Sequence, residues 1–236
     1  MVALMRHIQF IILGCTVLFL LACQERVGLA PVSEARSQGE RMPPIYRVQR
    51  YDTLYSIAFR YDQDYRALAS MNGLYAPYAL RVGQVIHLKS RPLSTSPYKS
   101  HAIYPAKTYT PPITVTSHFR WPTDQKRILT YFSPEKGRKG IDIVGRSGHS
   151  IYASNPGVVA YAGDGLNGYG NLIIIKHNDK LLTAYAHCAR NFVKEGQQVH
   201  TGQVIATMGL LDRQHYGVHY EVRQWGKPVN PFNYLR

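Results

Sequence analysis

Apolar and polar positions divide the chain into five stretches of different rhythm. Ile8 to Leu21 is an apolar run broken only by Gln9, Gly14, Cys15 and Thr16. It is at the short end for a hydrocarbon core of about 30 Å and stops at a small residue, Ala22. Residues 1–22 therefore read as an export signal rather than a membrane span. Residues 23–44 hold Pro31, Pro43 and Pro44 with no apolar period, as a flexible tether would. From 45 to 88 the pattern tightens. Ile45, Tyr46 and Val48 predict a short strand, and Asp52 or Thr53 can cap a helix with Leu54, Ile57, Ala58 and Tyr61 on one face. Tyr65, Leu68, Ala69 and Met71 predict a second helix closed by Asn72-Gly73, and Val82 to Leu88 returns as a strand. Residues 89–120 carry five prolines and no recurrent apolar face, which predicts an extended linker.

From Trp121 the period changes to that of β-structure. Gly157–Ala162, Asn171–His177 and Leu181–His187 are β-branched or aromatic runs separated by glycine turns, and Val199, Gly202–Ala206 and His219–Val222 continue them. The predicted architecture is a small α/β module of strand–helix–helix–strand order, followed by an all-β antiparallel domain over 121–236.

Charge narrows the setting. The formal charge is +14, and residues 89–120 supply five basic side chains and no acid. Such a chain attracts polyanions, and an exported one meets anionic wall polymers, lipids and acidic stem peptides rather than nucleic acid. Of three cysteines, Cys15 leaves with the signal. Leu20-Leu21-Ala22-Cys23 resembles a bacterial lipobox, which implies that Cys23 becomes the lipidated N-terminus and that Cys188 has no partner within the chain. Gln24 after it implies, by the same resemblance, an outer-membrane address facing the periplasm.

Residues 45–88 resemble a LysM module through Tyr46-Arg47-Val48, Asp52-Thr53-Leu54-Tyr55-Ser56-Ile57-Ala58, Leu68 to Leu74 and Val82-Gly83-Gln84-Val85-Ile86. The resemblance implies binding of N-acetylglucosamine-containing chains, that is peptidoglycan, in a groove formed by Asp52, Thr53, Leu54, Asn72, Gly73 and Leu74. Asp52 and Asn72 equally suit pure capping and turn work. Tyr51 stands where the family usually has glycine, which puts the geometry of the first loop in question.

The second domain resembles LytM or lysostaphin-like zinc endopeptidases through Lys139-Gly140-Ile141-Asp142-Ile143, Ala184-Tyr185-Ala186-His187 and His219-Tyr220-Glu221-Val222-Arg223. A catalytic zinc needs three protein ligands and an open position for water. The resemblance places those ligands at Arg138, Asp142 and His219, and the supporting histidines at Gly217 and His187. An arginine has no lone pair to offer and is expected to pair with Asp142 instead. His215, four residues before His219, and His149 and His177 within the same domain are candidate substitutes, and Cys188 is a poor nucleophile candidate because it neighbours His187 on a strand.

No catalytic residue, metal or cofactor is therefore expected. Arg138, Asp142, His187, Gly217 and His219 are read as a partner-binding cleft. Lipobox, LysM module and degenerate LytM domain together resemble envelope lipoproteins of the NlpD and EnvC kind, which implies an N-acetylmuramoyl-L-alanine amidase as partner and a part in wall remodelling during daughter-cell separation. A zinc endopeptidase with altered ligands and a purely structural tether are the rival readings.

Overall fold

The computed structural model describes residues 42–89, 116 and 118–236. The expected signal over 1–22, the lipidation expected at Cys23, and most of the expected tether and linker fall outside the described residues. Among the described residues no helix is long and apolar enough to cross a membrane.

The first module has the expected order. Strand β1 (Ile45–Arg47) pairs antiparallel with β2 (Val85–His87), Tyr46 opposite Ile86. Helix α1 (Leu54–Arg60) is capped by Thr53 rather than Asp52, in a capping box with Ser56 that satisfies two backbone donors reciprocally. Helix α2 (Tyr65–Met71) is capped by Asp64 and stops at Asn72, with Gly73 in the left-handed region at φ +62°. Tyr51 settles the question its identity raised. It takes the left-handed conformation itself, at φ 68°, so a tyrosine holds the turn where the family usually has glycine. Val48, Leu54, Ile57, Leu68, Ile86 and Leu88 form the centre of this small core.

The second domain is a sheet of ten strands: β3 (Ile128–Thr130), β4 (Ile141–Gly145), β5 (Ser150–Tyr152), β6 (Gly157–Gly163), β7 (Asn171–Lys176), β8 (Leu181–Asn191), β9 (Gln198–Val199), β10 (Val204–Leu210), β11 (Tyr216–Gln224) and β12 (Lys227–Val229). Every pairing between these strands is antiparallel, and β11 lies between β4 and β8. Strand pleating sorts the residues of β11. Val218, Tyr220 and Val222 enter the main core with Ile141, Ile173 and Tyr185, leaving Gly217, His219, Glu221 and Arg223 for the opposite face.

His177, a candidate substitute ligand, belongs to the core side and packs edge-on against Phe119. Its Nδ1 donates to the Pro156 carbonyl at 2.8 Å, and its Nε2 lies 2.8 Å from Thr183 Oγ1, which is in turn 3.0 Å from Tyr185 Oη. A neutral ring satisfies this chain, and burial pushes the His177 pKa down to about 4. Because the folded pKa lies below the unfolded value, the resulting stability is complete above pH 6.5 and is lost as pH falls towards 4. At ~1.4 kcal/mol per pKa unit, this site should cost about 2 kcal/mol between pH 7 and pH 5. Urea unfolding at the two pH values, on wild type and His177→Gln, measures it. The variant should show the smaller acid loss by about that amount.

Candidate functional site

The proposed glycan groove is partly built and partly spent on structure. Asp52 accepts from Gln49 N at 2.8 Å and from Tyr46 Oη at 2.7 Å, and pairs with Arg60 at 3.7 Å. Asn72 donates to the carbonyls of Leu68 and His87 and accepts from His87 N at 2.7 Å, which locks α2 to β2. Leu54 is in the core, so its side chain cannot line a groove, and this corrects the expectation for it. Thr53 Oγ1 accepts from Ser56 N and reaches across to Ala160 O. Gly73 is exposed and Leu74 half-buried. Tyr51 and Tyr75, 71% and 75% exposed, lie beside the two loops and were not among the expected groove residues; the Arg50 guanidinium lies 4.9 Å over the Tyr51 ring. The unusual residue at the glycine position was the available signal for Tyr51.

In the second domain, β4 and β11 are in register with His219 opposite Asp142 and Gly217 opposite Val144. His219 Nδ1 lies 2.6 Å from Asp142 Oδ1, and its Nε2 lies 3.1 Å from Glu221 Oε1. Each ring nitrogen thus faces a carboxylate. Burial opposes the proton on His219, but the bonds to Asp142 and Glu221 outweigh it and raise the pKa to about 9. Burial likewise opposes the charge on Glu221, which Arg223 and His219 nevertheless hold well below the usual carboxylate range. Arg223 Nε donates to Glu221 Oε2 at 2.7 Å, and its Nη1 donates to Asp62 Oδ1 at 2.7 Å. Asp62 also takes Lys139 Nζ at 2.7 Å. The result is a continuous row of alternating charge: Asp142, His219, Glu221, Arg223, Asp62 and Lys139.

The expected Arg138–Asp142 pair does not form. Arg138 is exposed, and its backbone bridges to Ser133 at the end of the 3-10 turn Pro134–Lys136. Asp142 has an imidazolium as partner, so it needs no guanidinium. His187 sits in a β8 bulge at φ 60°, buried, its pKa lowered to about 4 by desolvation and by the charge of His219. Cys188, on the core side of the same bulge, has its thiol pushed up to about 12 by burial. His215 pairs with Asp212 at 3.0 Å and, with His149, Arg127 and Arg146, lines a cavity of about 570 Å³ at the end of β4 and β11.

These residues do not fit a catalytic zinc. Arg138, at the first ligand position, is exposed, forms no ion pair with Asp142 and has no lone pair to offer. A side chain at Gly217 would run into the Ile143 carbonyl and the Leu211 side chain, so the place of the missing histidine is filled. Among the described residues no three His, Cys, Asp or Glu side chains are arranged to hold a metal ion.

A LysM-like module joined to a peptidase-type β-sheet with this filled site defines the class, and comparison with known proteins agrees. The LysM domain profile matches residues 46–89 and that of Peptidase family M23 matches residues 136–231. The chain is 37% identical to the lipoprotein NlpD/LppB homolog of Pseudomonas aeruginosa, across 89% of this chain and 82% of that one. It is 37% identical to the murein hydrolase activator NlpD of Escherichia coli K12, across 80% and 67%. The lipoprotein YgeR of the same strain is 38% identical across 86% and 85%. Among solved structures, a zinc containing peptidase from Vibrio cholerae is 30% identical over 48% of this chain and 39% of that one, with a TM-score of 0.43. The chain belongs to the NlpD/LppB family of LysM–M23 lipoproteins.

Proposed function

We propose that this protein is a peptidoglycan-binding envelope lipoprotein whose M23 domain does not cut, but activates an N-acetylmuramoyl-L-alanine amidase during wall remodelling and cell separation. The observation that carries the reading is the loss of two histidine positions: Arg138 is exposed and has no lone pair to offer, and at Gly217 a side chain would meet the Ile143 carbonyl and Leu211. A fold kept without its metal retains a shaped, charged surface, and such surfaces bind. The murein hydrolase activators among its relatives supply the class of partner. Residues 1–22 act as the signal and lipid on Cys23 holds the protein in the outer membrane, facing the periplasm. The LysM module then keeps the domain against the wall.

Activation follows if the M23 face has higher affinity for the open state of an autoinhibited amidase than for its closed state. The exposed Arg138 suits a carboxylate of that partner, since a guanidinium can take two parallel bonds. The test is release of peptide from purified sacculi by a host amidase with the wild-type chain, with Arg138→Ala and with Arg138→Glu. The chain alone should release nothing, wild type should stimulate the amidase, and Arg138→Glu should lose most of the stimulation. Digestion without an amidase would favour the altered-ligand endopeptidase, and no stimulation of any host amidase would leave the structural tether.

Wall binding is assigned to the exposed loops of the LysM module. The full chain should co-sediment with sacculi at moderate salt, and Tyr51→Ala with Tyr75→Ala should weaken this by roughly tenfold without unfolding, as expected for the loss of two exposed aromatic rings. Binding that vanishes with rising salt alone would assign it to charge instead. Asn72→Ala is a poor probe here, because it unties α2 from β2.

A further inference from the structure

Helix α1 carries a large residue that its own module does not use. Phe59 takes no part in the cluster around Leu54, Ile57 and Ile86. It is 1% exposed because it enters a second cluster, with Tyr161, Tyr169, Leu172 and Ala184 of the M23 sheet. Its ring meets Tyr169 edge-on with centroids 5.3 Å apart, and the Arg223 guanidinium sits 3.5 Å from its centroid. Three residues on, Asp62 accepts from both Arg223 and Lys139. Around this pair, Thr53 donates to Ala160 O at 3.2 Å, Arg60 donates to Gly165 O at 3.0 Å, and Arg66 lies 4.5 Å over Trp225. Arg223 is 0% exposed, and its contacts with Phe59 and Asp62 come from the other module.

Without the LysM module, the M23 domain would present an apolar bay edged by two cations, on the same sheet face as Asp142 and His219. The geometry points to the LysM module as an internal cover. Phe59 and Asp62 fill, in cis, a bay that accepts a protein segment bearing an aromatic ring and, three residues on and past a helix end, a carboxylate, and a partner gains the bay only when the module lifts away. Both parts of the bay are needed by such a segment: the apolar floor takes the ring and the Arg223–Lys139 pair takes the carboxylate. Docking takes up Thr53 of the first wall-facing loop but leaves Tyr51, Gly73 and Tyr75 exposed, so the covered form can still hold glycan through them.

The cover itself does not depend on the amidase; the identity of the displacing partner rests on the activator reading. The test uses the full chain made soluble by Cys23→Ser, alone and with Phe59→Ala or Asp62→Lys. The two changes share no chemistry, and neither residue belongs to the LysM core. Hydrogen exchange at the Ile57 and Leu68 amides verifies that the module stays folded. Small-angle scattering should report a compact parent chain and a larger radius of gyration for both variants. If the uncovered form is about a tenth of the parent population, both should lower the concentration for half-maximal amidase stimulation by roughly tenfold. A parent already as extended as the variants rejects the cover, and so does separation of the modules that leaves stimulation by an active parent unchanged. If parent and variants stimulate no amidase, the activator reading falls, and scattering alone then decides the cover: an enlarged radius supports it and an unchanged one rejects it.

Discussion

Putting the two absent histidines back, as Arg138→His with Gly217→His, should not create a zinc enzyme and should destabilise the M23 domain by about 2–4 kcal/mol, as overpacked buried positions do. Gly217 is buried opposite Val144, and any side chain there meets the Ile143 carbonyl and Leu211, so an imidazole would have to push two strands apart. Even with room made for it, a zinc would have to displace the proton that His219 shares with Asp142, and that proton is held with a pKa raised to about 9. Metal analysis of the purified variant should give well under one zinc per chain, and thermal unfolding should begin earlier than in wild type. Stoichiometric zinc with unchanged unfolding would show that the site is only two substitutions from a working one.

How far this was legible in the sequence depended on whether a signal was local. The helices were, because Leu54, Ile57 and Ala58 repeat at helical spacing and Asn72-Gly73 ends the second helix where the structure ends it. The long β-branched runs likewise became β6, β7 and β8. Strands β3, β4, β5 and β12 were not anticipated. β3, β5 and β12 are three residues long, Ser150, Lys227 and Pro228 interrupt alternation in β5 and β12, and β4 was noticed only for its motif residue Asp142. Strand β8 runs on to Asn191 past the expected end at His187, because a bulge lets pairing resume beyond it.

The site was half legible. The structure brings the motif residues Asp142, His187 and His219 near one another, but the partner of Asp142 was misassigned to Arg138. Period-two alternation in His219-Tyr220-Glu221-Val222-Arg223 already places imidazole, carboxylate and guanidinium on one face, and it was the better guide. Docking of the two modules had no local signal at all. Phe59 lies off the apolar stripe of α1, and only the distant M23 sheet explains its burial.

Replacing Arg223 with methionine should be the most damaging single change in the M23 domain, costing about 3–5 kcal/mol at pH 7, because it removes one partner from a buried ionic row and leaves the others in place. Methionine keeps much of the volume, so the loss is electrostatic rather than a cavity. Glu221 is fully buried and would retain only His219 and the Tyr169 hydroxyl, while Asp62 would retain only Lys139. Adding Glu221→Gln to Arg223→Met should recover a substantial part of the loss, since no unpaired carboxylate then remains in the sheet. The non-additivity of that cycle, rather than either single value, measures the coupling. Urea unfolding of wild type, both single variants and the double variant checks it. A cost below about 1 kcal/mol for Arg223→Met would place the pair in the range of exposed ion pairs and remove the row from the forces that hold this face together.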